Sequence, residues 1–197
     1  LCDLLGIEYP VLLAGMGPTV GESNHGVAGP ELVAAVSNAG GLGVLGGTGY
    51  GPDEMEQAIK DIRALTDRPF GVDILLPVLG PKGGAAAGEA PKKFSTAIPQ
   101  EHREKVSQLR DALGLPDVPP PPRPASADDS NMASGLFDPQ GQIDVIVGMG
   151  VPVLATGLGD PAPFMPQLRD AGTKVISLVG NVKGARRVLA SGVDAVV

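Results

Sequence analysis

Short apolar runs recur along the chain and alternate with segments of helical periodicity. The runs lie at residues 11–14, 42–45, 70–76, 151–156, 175–179 and 193–197. Each run is nearly continuous in apolar residues, which is typical of parallel strands that are covered on both faces. The pattern therefore predicts six strands, and six strand-then-helix units in series indicate an α/β protein.

The segments between the runs begin at proline or a capping residue and end at glycine. Pro30 and Pro52 would occupy first helical turns, and proline at that position with glycine just past the last turn is the expected asymmetry. Further helices are predicted near 142–149, from 160 to 171 and from 181 to 190. The spacing leaves two architectures open, a doubly wound sheet and a closed barrel.

Residues 77–140 interrupt this alternation and hold eleven of the twenty prolines. One helix is predicted inside the interval, from Pro99 to Leu113, with Gly114 as its stop. The rest of the interval has the composition of extended or loop structure. We therefore expect one incomplete domain over 1–197, interrupted by an insertion at 77–140.

The composition excludes several classes of function. A net charge of −7 and the absence of tryptophan argue against nucleic-acid binding. Cys2 is the only cysteine, so the chain offers neither an internal disulfide nor a zinc-binding set. With no long apolar run and no leader pattern, a cytoplasmic protein away from membranes is expected, and a homo-oligomer stays open. Because the chain begins at Leu1 and stops inside an apolar run at Val197, we interpret it as part of a longer protein.

The candidate chemistry lies at the carboxyl ends of the predicted strands, where both architectures place their active sites. Glycine-rich turns at 14–17, 46–49 and 156–159 would let the backbone approach a flat or phosphorylated ligand, although they also suit tight turns. Asp73 follows an apolar strand and is either a site residue or a turn cap. His25 lies near the same edge, whereas His102 lies on a charged, solvated helix.

One glycine motif is misleading. Residues 41–46 spell G-x-G-x-x-G, but a dinucleotide-binding motif follows a strand and opens a helix. Here the glycines follow a helix and overlap the predicted strand. The sequence therefore does not predict a Rossmann site.

Several segments together resemble the nitronate monooxygenase family. They are LGIEYP at 5–10 with AGMG at 14–17, ELVAAVSNAGGLG at 31–43, LTDRPFGVD at 65–73, TGLGDP at 156–161, AGTKVI at 171–176 and GVDAVV at 192–197. The resemblance covers the chain except for the insertion and residues 18–28. It implies an FMN-binding (β/α)8 TIM barrel, present here as about six of eight units, that oxidises alkyl nitronates with O2.

The resemblance also implies a set of cofactor-binding residues. They are Ala14, Gly15, Met16, Gly17, Asp73, Leu75, Thr156, Gly157 and Leu178. Two positions depart from the family. Many members have asparagine where this chain has Asp73, and some have lysine where it has Leu178. The family's catalytic histidine follows the sixth strand in a Gly-Gly-His segment, beyond Val197. We therefore expect no catalytic residue in this chain and little turnover by it alone.

Two other functions stay open at this point. A flavin-dependent enoyl-acyl-carrier-protein reductase shares the same segments and would use a nicotinamide donor. A non-catalytic barrel remnant would bind a partner through the insertion and would hold no flavin.

Overall fold

The computed structural model describes residues 1–18, 26–76, 99–116 and 138–197. Its helices are α1 (Cys2–Leu5), α2 (Pro30–Asn38), α3 (Pro52–Leu65), α4 (Gln100–Ala112), α5 (Pro139–Gly148), α6 (Met165–Asp170) and α7 (Val182–Ser191). Its strands are β1 (Gly43–Gly46), β2 (Phe70–Leu75), β3 (Val153–Gly157), β4 (Lys174–Ser177) and β5 (Ala195–Val196). None of these helices combines the length and the apolar character that a membrane crossing needs.

The five strands form one parallel sheet in which each strand pairs with the next along the chain. A doubly wound sheet would reverse its strand order at a switch point, and this sheet does not. An unbroken sequential order of parallel strands is that of a (β/α)8 barrel. The sheet therefore settles the choice that spacing left open, in favour of part of a barrel.

The first predicted strand is shorter than expected. Of residues 11–14, only Leu12 pairs, through a single parallel bridge to Leu42 ahead of β1. The chain then turns, because the Met16 N–H donates to the Ala14 carbonyl at 3.0 Å. The other five strands are confirmed, and residues 43–46 of the misleading glycine motif form β1 itself.

The two faces of the sheet bury different sets of side chains. On the helix-covered face, Ile59 and Ile62 of α3 belong to the same apolar cluster as Val72 of β2. The opposite face buries a smaller cluster that includes Val44 and Val153, to which Leu5 of α1 and Ile7 just after it also belong. These alternating side chains are the outer and inner layers that a barrel strand presents.

The predicted helix boundaries hold in most places. Pro30 and Pro52 begin their helices, and Asn181 caps α7 by accepting from the Gly184 N–H at 2.8 Å. The helix predicted from residue 160 begins only at Met165, because Asp160 instead accepts from the Ala162 N–H at 3.0 Å in a turn.

Two further differences concern α1, which the sequence did not predict, and α5, which begins three residues before the predicted start. Within the 77–140 interval, α4 confirms the predicted helix. Residues 77–98 and 117–137 of the interval lie outside the described residues.

Candidate functional site

The carboxyl ends of the strands meet at one edge of the sheet and form a rim. The Gly47 N–H donates to the Asp73 carbonyl at 2.7 Å and joins the ends of β1 and β2. Bonds from the Leu76 N–H to the Gly157 carbonyl and from the Leu178 N–H to the Thr156 carbonyl, both 2.8 Å, extend the rim across β3 and β4. These bonds bring together the segments that carry five of the nine residues expected to bind the cofactor, which are Asp73, Leu75, Thr156, Gly157 and Leu178.

The rim glycines allow the chain to pack against itself. A side-chain carbon at Gly15 would lie 2.6 Å from the Asp73 Cβ and 2.9 Å from its Oδ2. A side-chain carbon at Gly17 would overlap the Gly46 carbonyl oxygen. The close packing of neighbouring parts of the chain therefore requires these glycines, whether or not a ligand also approaches them.

Asp73 lies on the inner face of the sheet at the end of β2. It pairs with Gly46 on one side and Ala155 on the other, and its side chain is half-buried. Burial raises the pKa of the Asp73 carboxyl from 3.8 to about 6, because removal from water disfavours the charged form. Among the described residues, no group donates a hydrogen bond to this carboxylate, so the turn-cap interpretation gains no support.

Thr156 and Leu75 lie at the rim with different degrees of burial. The Thr156 side chain is buried, and its hydroxyl donates to the Ser177 Oγ at 3.3 Å. Leu75 is half-buried, and its Cδ2 would lie 3.3 Å from a side-chain carbon added at Gly157. Thr156 therefore supports the rim from within, whereas Leu75 lies half-buried on the same face of β2 as Asp73.

Three apolar side chains face solvent at the rim. Met16 is 48% exposed, Leu178 is 47% exposed and Leu158 is 73% exposed. Leu158 has a φ of 55°, a left-handed conformation that is uncommon for any residue other than glycine. Exposed apolar groups beside backbone of an uncommon conformation are compatible with a ligand site.

Gln142 is a site-supporting residue that sequence reasoning missed. It is buried on α5, and its Nε2 donates to the Gly47 carbonyl at 3.2 Å and to the Tyr50 carbonyl at 2.9 Å. These bonds hold the loop after β1 in place. The signal available in the sequence was a glutamine at a helical position next to Ile143 and in register with Ile146.

The remaining candidates do not add to the described rim. His102 is exposed on α4, and His25 lies outside the described residues. Across the described ranges, no group of three or more His, Cys, Asp or Glu residues is placed to hold a metal ion.

Comparison with known proteins identifies the family. The sequence model for nitronate monooxygenase matches residues 1–197, which is the whole chain. The chain belongs to the nitronate monooxygenase family. It is 32% identical, over its full length, to a putative monooxygenase, Rv1533, of Mycobacterium tuberculosis, and 30% identical to a nitronate monooxygenase of Paraburkholderia phytofirmans.

Similar solved structures agree with this family assignment. FabK from Thermotoga maritima has a TM-score of 0.60 at 29% identity, over 99% of this chain and 42% of that protein. A nitroalkane oxidase from Streptomyces ansochromogenes has a TM-score of 0.62 at 27% identity, over 99% of this chain and 46% of that protein. The chain spans 49% and 46% of the two curated relatives, about half their length.

Proposed function

We propose that the complete protein is a flavin-dependent oxidoreductase that uses FMN to oxidise alkyl nitronates, with O2 as the electron acceptor. The observation that carries this proposal is the family match over residues 1–197. The likeness to a nitroalkane oxidase supports the same class of nitrogen substrate. We also propose that residues 1–197 belong to a single barrel domain, with 77–140 inserted after the third strand position.

The residues at the rim fit a flavin. Its flat ring system needs an apolar surface and backbone polar groups, and Met16 and Leu178 supply exposed apolar groups about half open to solvent. Gly180 adds open space beside Leu178, since a side-chain carbon there would meet nothing within 4 Å. We propose that Ala14 to Gly17, Leu75, Gly157 and Leu178 would contact the cofactor, while the buried Thr156 holds the contacting segments.

The bound flavin would supply the electron chemistry, and the chain would supply its environment. Asp73 is the residue most able to change that environment. An ionised carboxylate disfavours added negative charge on a nearby group, and the raised pKa of Asp73 enlarges its neutral fraction near neutral pH. Asp73 would therefore bind the reduced cofactor better in its protonated form.

The described rim provides no imidazole, because His102 lies on α4 and His25 is outside the described residues. We therefore propose that the histidine expected from the family lies outside the described residues. The rim would bind and orient the cofactor, and that histidine would transfer the proton at the substrate.

The test is an anaerobic visible spectrum of the protein expressed from its full reading frame and supplied with FMN. A flavin spectrum that bleaches when an alkyl nitronate is added, and returns when O2 is admitted, is the expected result. The matched control is the parent nitroalkane at a pH where it stays neutral. A spectrum that does not respond to the nitronate would exclude nitronate oxidation, and a colourless protein that takes up no FMN would favour a non-catalytic barrel.

A second candidate is a flavin-dependent reductase of acyl thioesters such as enoyl-acyl carrier protein. One relative, 28% identical over 197 residues and matched over 37% of its length, is a carboxyl-CoA dehydrogenase of Mycobacterium tuberculosis. Rapid bleaching of the flavin by NADH or NADPH, without a response to nitronate, would favour this candidate.

A further inference from the structure

Asp73 is the only polar side chain in its layer of the described sheet. The pairings across the five strands place Gly46, Asp73, Ala155, Ile176 and Ala195 side by side. Side chains at paired positions point to the same face of a sheet, and Ala155 and Ile176 belong to the inner apolar cluster. The Asp73 carboxyl therefore points into the interior of the barrel, where β2 reaches the rim.

The neighbours of Asp73 provide neither a long side chain nor a charge. Gly46 and Ala155 flank it in the sheet, and Gly15 lies so close to its Cβ that a side chain at Gly15 has no room. No side chain of residues 14–17, of β1 or of β3 is titratable. Burial is the one cause that raises the pKa of the Asp73 carboxyl to about 6.

The titratable side chains of the adjoining segments are engaged away from Asp73. Tyr50, in the loop after β1, is buried in the outer apolar cluster. Asp160, after β3, pairs with Arg187 of α7 at 3.5 Å. Lys174 is the one basic residue of the described strands, and it begins β4 at the opposite edge of the sheet. Among the described residues, the charge of Asp73 is therefore controlled only by its contact with water and by what occupies the rim.

We propose that Asp73 makes reduction of the flavin pH-dependent, because its carboxylate takes up a proton when the cofactor gains negative charge. This role depends on the proposed function, since it requires a flavin at the rim. The transfer of two electrons from the nitronate together with one proton adds one negative charge to the cofactor. That charge repels the carboxylate, which then binds one proton from water. When the electrons pass to O2, the proton returns to water.

The effect is reciprocal. If the added negative charge raises the proton affinity of Asp73 about tenfold, protonation of Asp73 favours the reduced over the oxidised cofactor by the same factor. A factor of about ten is of the order that two like charges several ångströms apart produce in a partly solvated site. For a two-electron couple, a tenfold change in the equilibrium constant is equivalent to about 30 mV.

The direction of the pH dependence follows from the pKa of Asp73, which is about 6. Well below that pKa the carboxyl is neutral in both states of the cofactor, so the midpoint potential is insensitive to Asp73. Above it the carboxylate is charged when the cofactor is oxidised, so reduction requires either proton uptake or two adjacent negative charges. The midpoint potential should therefore fall more steeply with pH than it does without a charge at this position.

The test is spectroelectrochemical titration of the protein expressed from its full reading frame and loaded with FMN. The midpoint potentials of the unchanged protein and the Asp73→Asn variant should be equal at about pH 5, and that of the variant should be higher by about 30 mV at about pH 8. Asp73→Ala has neither the charge nor an amide and should follow Asp73→Asn. Asp67→Asn, at an exposed position, should follow the unchanged protein at every pH.

Proton uptake supplies a second readout that does not depend on turnover. During electrochemical reduction in weak buffer with a pH indicator, the unchanged protein should take up about half a proton more than Asp73→Asn at about pH 6.5. This difference should disappear at about pH 5, where the Asp73 carboxyl is already protonated.

The outcomes separate this role of Asp73 from the proposed function. A potential difference that is the same at low and high pH, or equal proton uptake by the two proteins, would overturn the role of Asp73 and leave the flavin chemistry intact. A higher potential in Asp73→Asn but not in Asp73→Ala would assign the effect to the amide and would also overturn it. A protein that takes up no FMN would overturn both.

Discussion

Replacement of Asp73 by asparagine should stabilise the fold, and by an amount that depends on pH. The carboxyl is half-buried at the end of β2, where no described group donates a hydrogen bond to it. Its ionisation in the folded protein therefore costs free energy that ionisation in the unfolded chain does not. Asparagine has nearly the same shape and carries no charge, so it removes that cost.

The size of the effect follows from the pKa of Asp73, which rises from 3.8 to about 6 on folding. A tenfold change in a proton-binding constant is equivalent to about 1.4 kcal/mol, so a pKa higher by about two would correspond to about 3 kcal/mol in a fully desolvated site. Because the side chain keeps some contact with water, we expect about 1–2 kcal/mol. Between the two pKa values the folded state binds more protons than the unfolded state, so this contribution lowers stability as pH rises.

The assay is urea unfolding of the unchanged protein and the Asp73→Asn variant without added flavin. The variant should be more stable by about 1–2 kcal/mol near pH 8, and the difference should shrink toward zero near pH 4. Asp67→Asn, at an exposed position, is the matched control and should show no such trend. A difference that is the same at both pH values would refute the desolvation argument.

Three further changes test the support of the rim and the neighbouring helices. Arg63→Ala removes the guanidinium that donates to two backbone carbonyls at the end of α5. The free energy of unfolding in urea should fall by about 1–2 kcal/mol, and Arg63→Lys should lose less. Gly17→Ala should cost at least about 2 kcal/mol because its added carbon meets the Gly46 carbonyl, and an unchanged melting temperature would contradict that contact. Gln142→Leu leaves two loop carbonyls without their donor, so we expect the free energy of unfolding to fall by about 1–3 kcal/mol. Amide hydrogen exchange in the loop after β1 should also become faster. Unchanged exchange there would rule out a role of Gln142 in holding that loop.

The strands could be predicted because their signal is local. A parallel strand with both faces covered must be apolar at almost every position, and β2 and β3 show this directly in the sequence. Their carboxyl ends then located the rim without further information. The spacing of the elements alone did not predict the order of strands in the sheet, because that order depends on pairings such as that of Val72 with Leu154, which lie far apart in the chain. The family resemblance supplied the barrel.

The supporting contacts of the rim were hidden for the same reason. In the sequence, no residue near Gly15 indicates that this position must leave room for Asp73. No residue near Gln142 indicates that its amide donates to two carbonyls of the loop after β1. The predicted helix start at Asp160 was wrong for a local reason. The Asp160 carboxylate accepts a hydrogen bond from the Ala162 N–H and so stabilises a turn instead of the first helical turn.

The distribution of unfavourable features supports the placement of a site at the rim. Asp73 is a half-buried carboxylate to which no described group donates a hydrogen bond, and Leu158 is the one described residue other than glycine with a left-handed φ. Both features cost stability, and both lie at carboxyl ends of adjacent strands, β2 and β3, beside the exposed Met16 and Leu178. A fold selected for stability alone would replace them with asparagine and glycine, which relieve the two costs at little expense in packing. Their coincidence at one edge of the sheet is therefore more simply explained by the requirements of a bound ligand than by the requirements of the barrel.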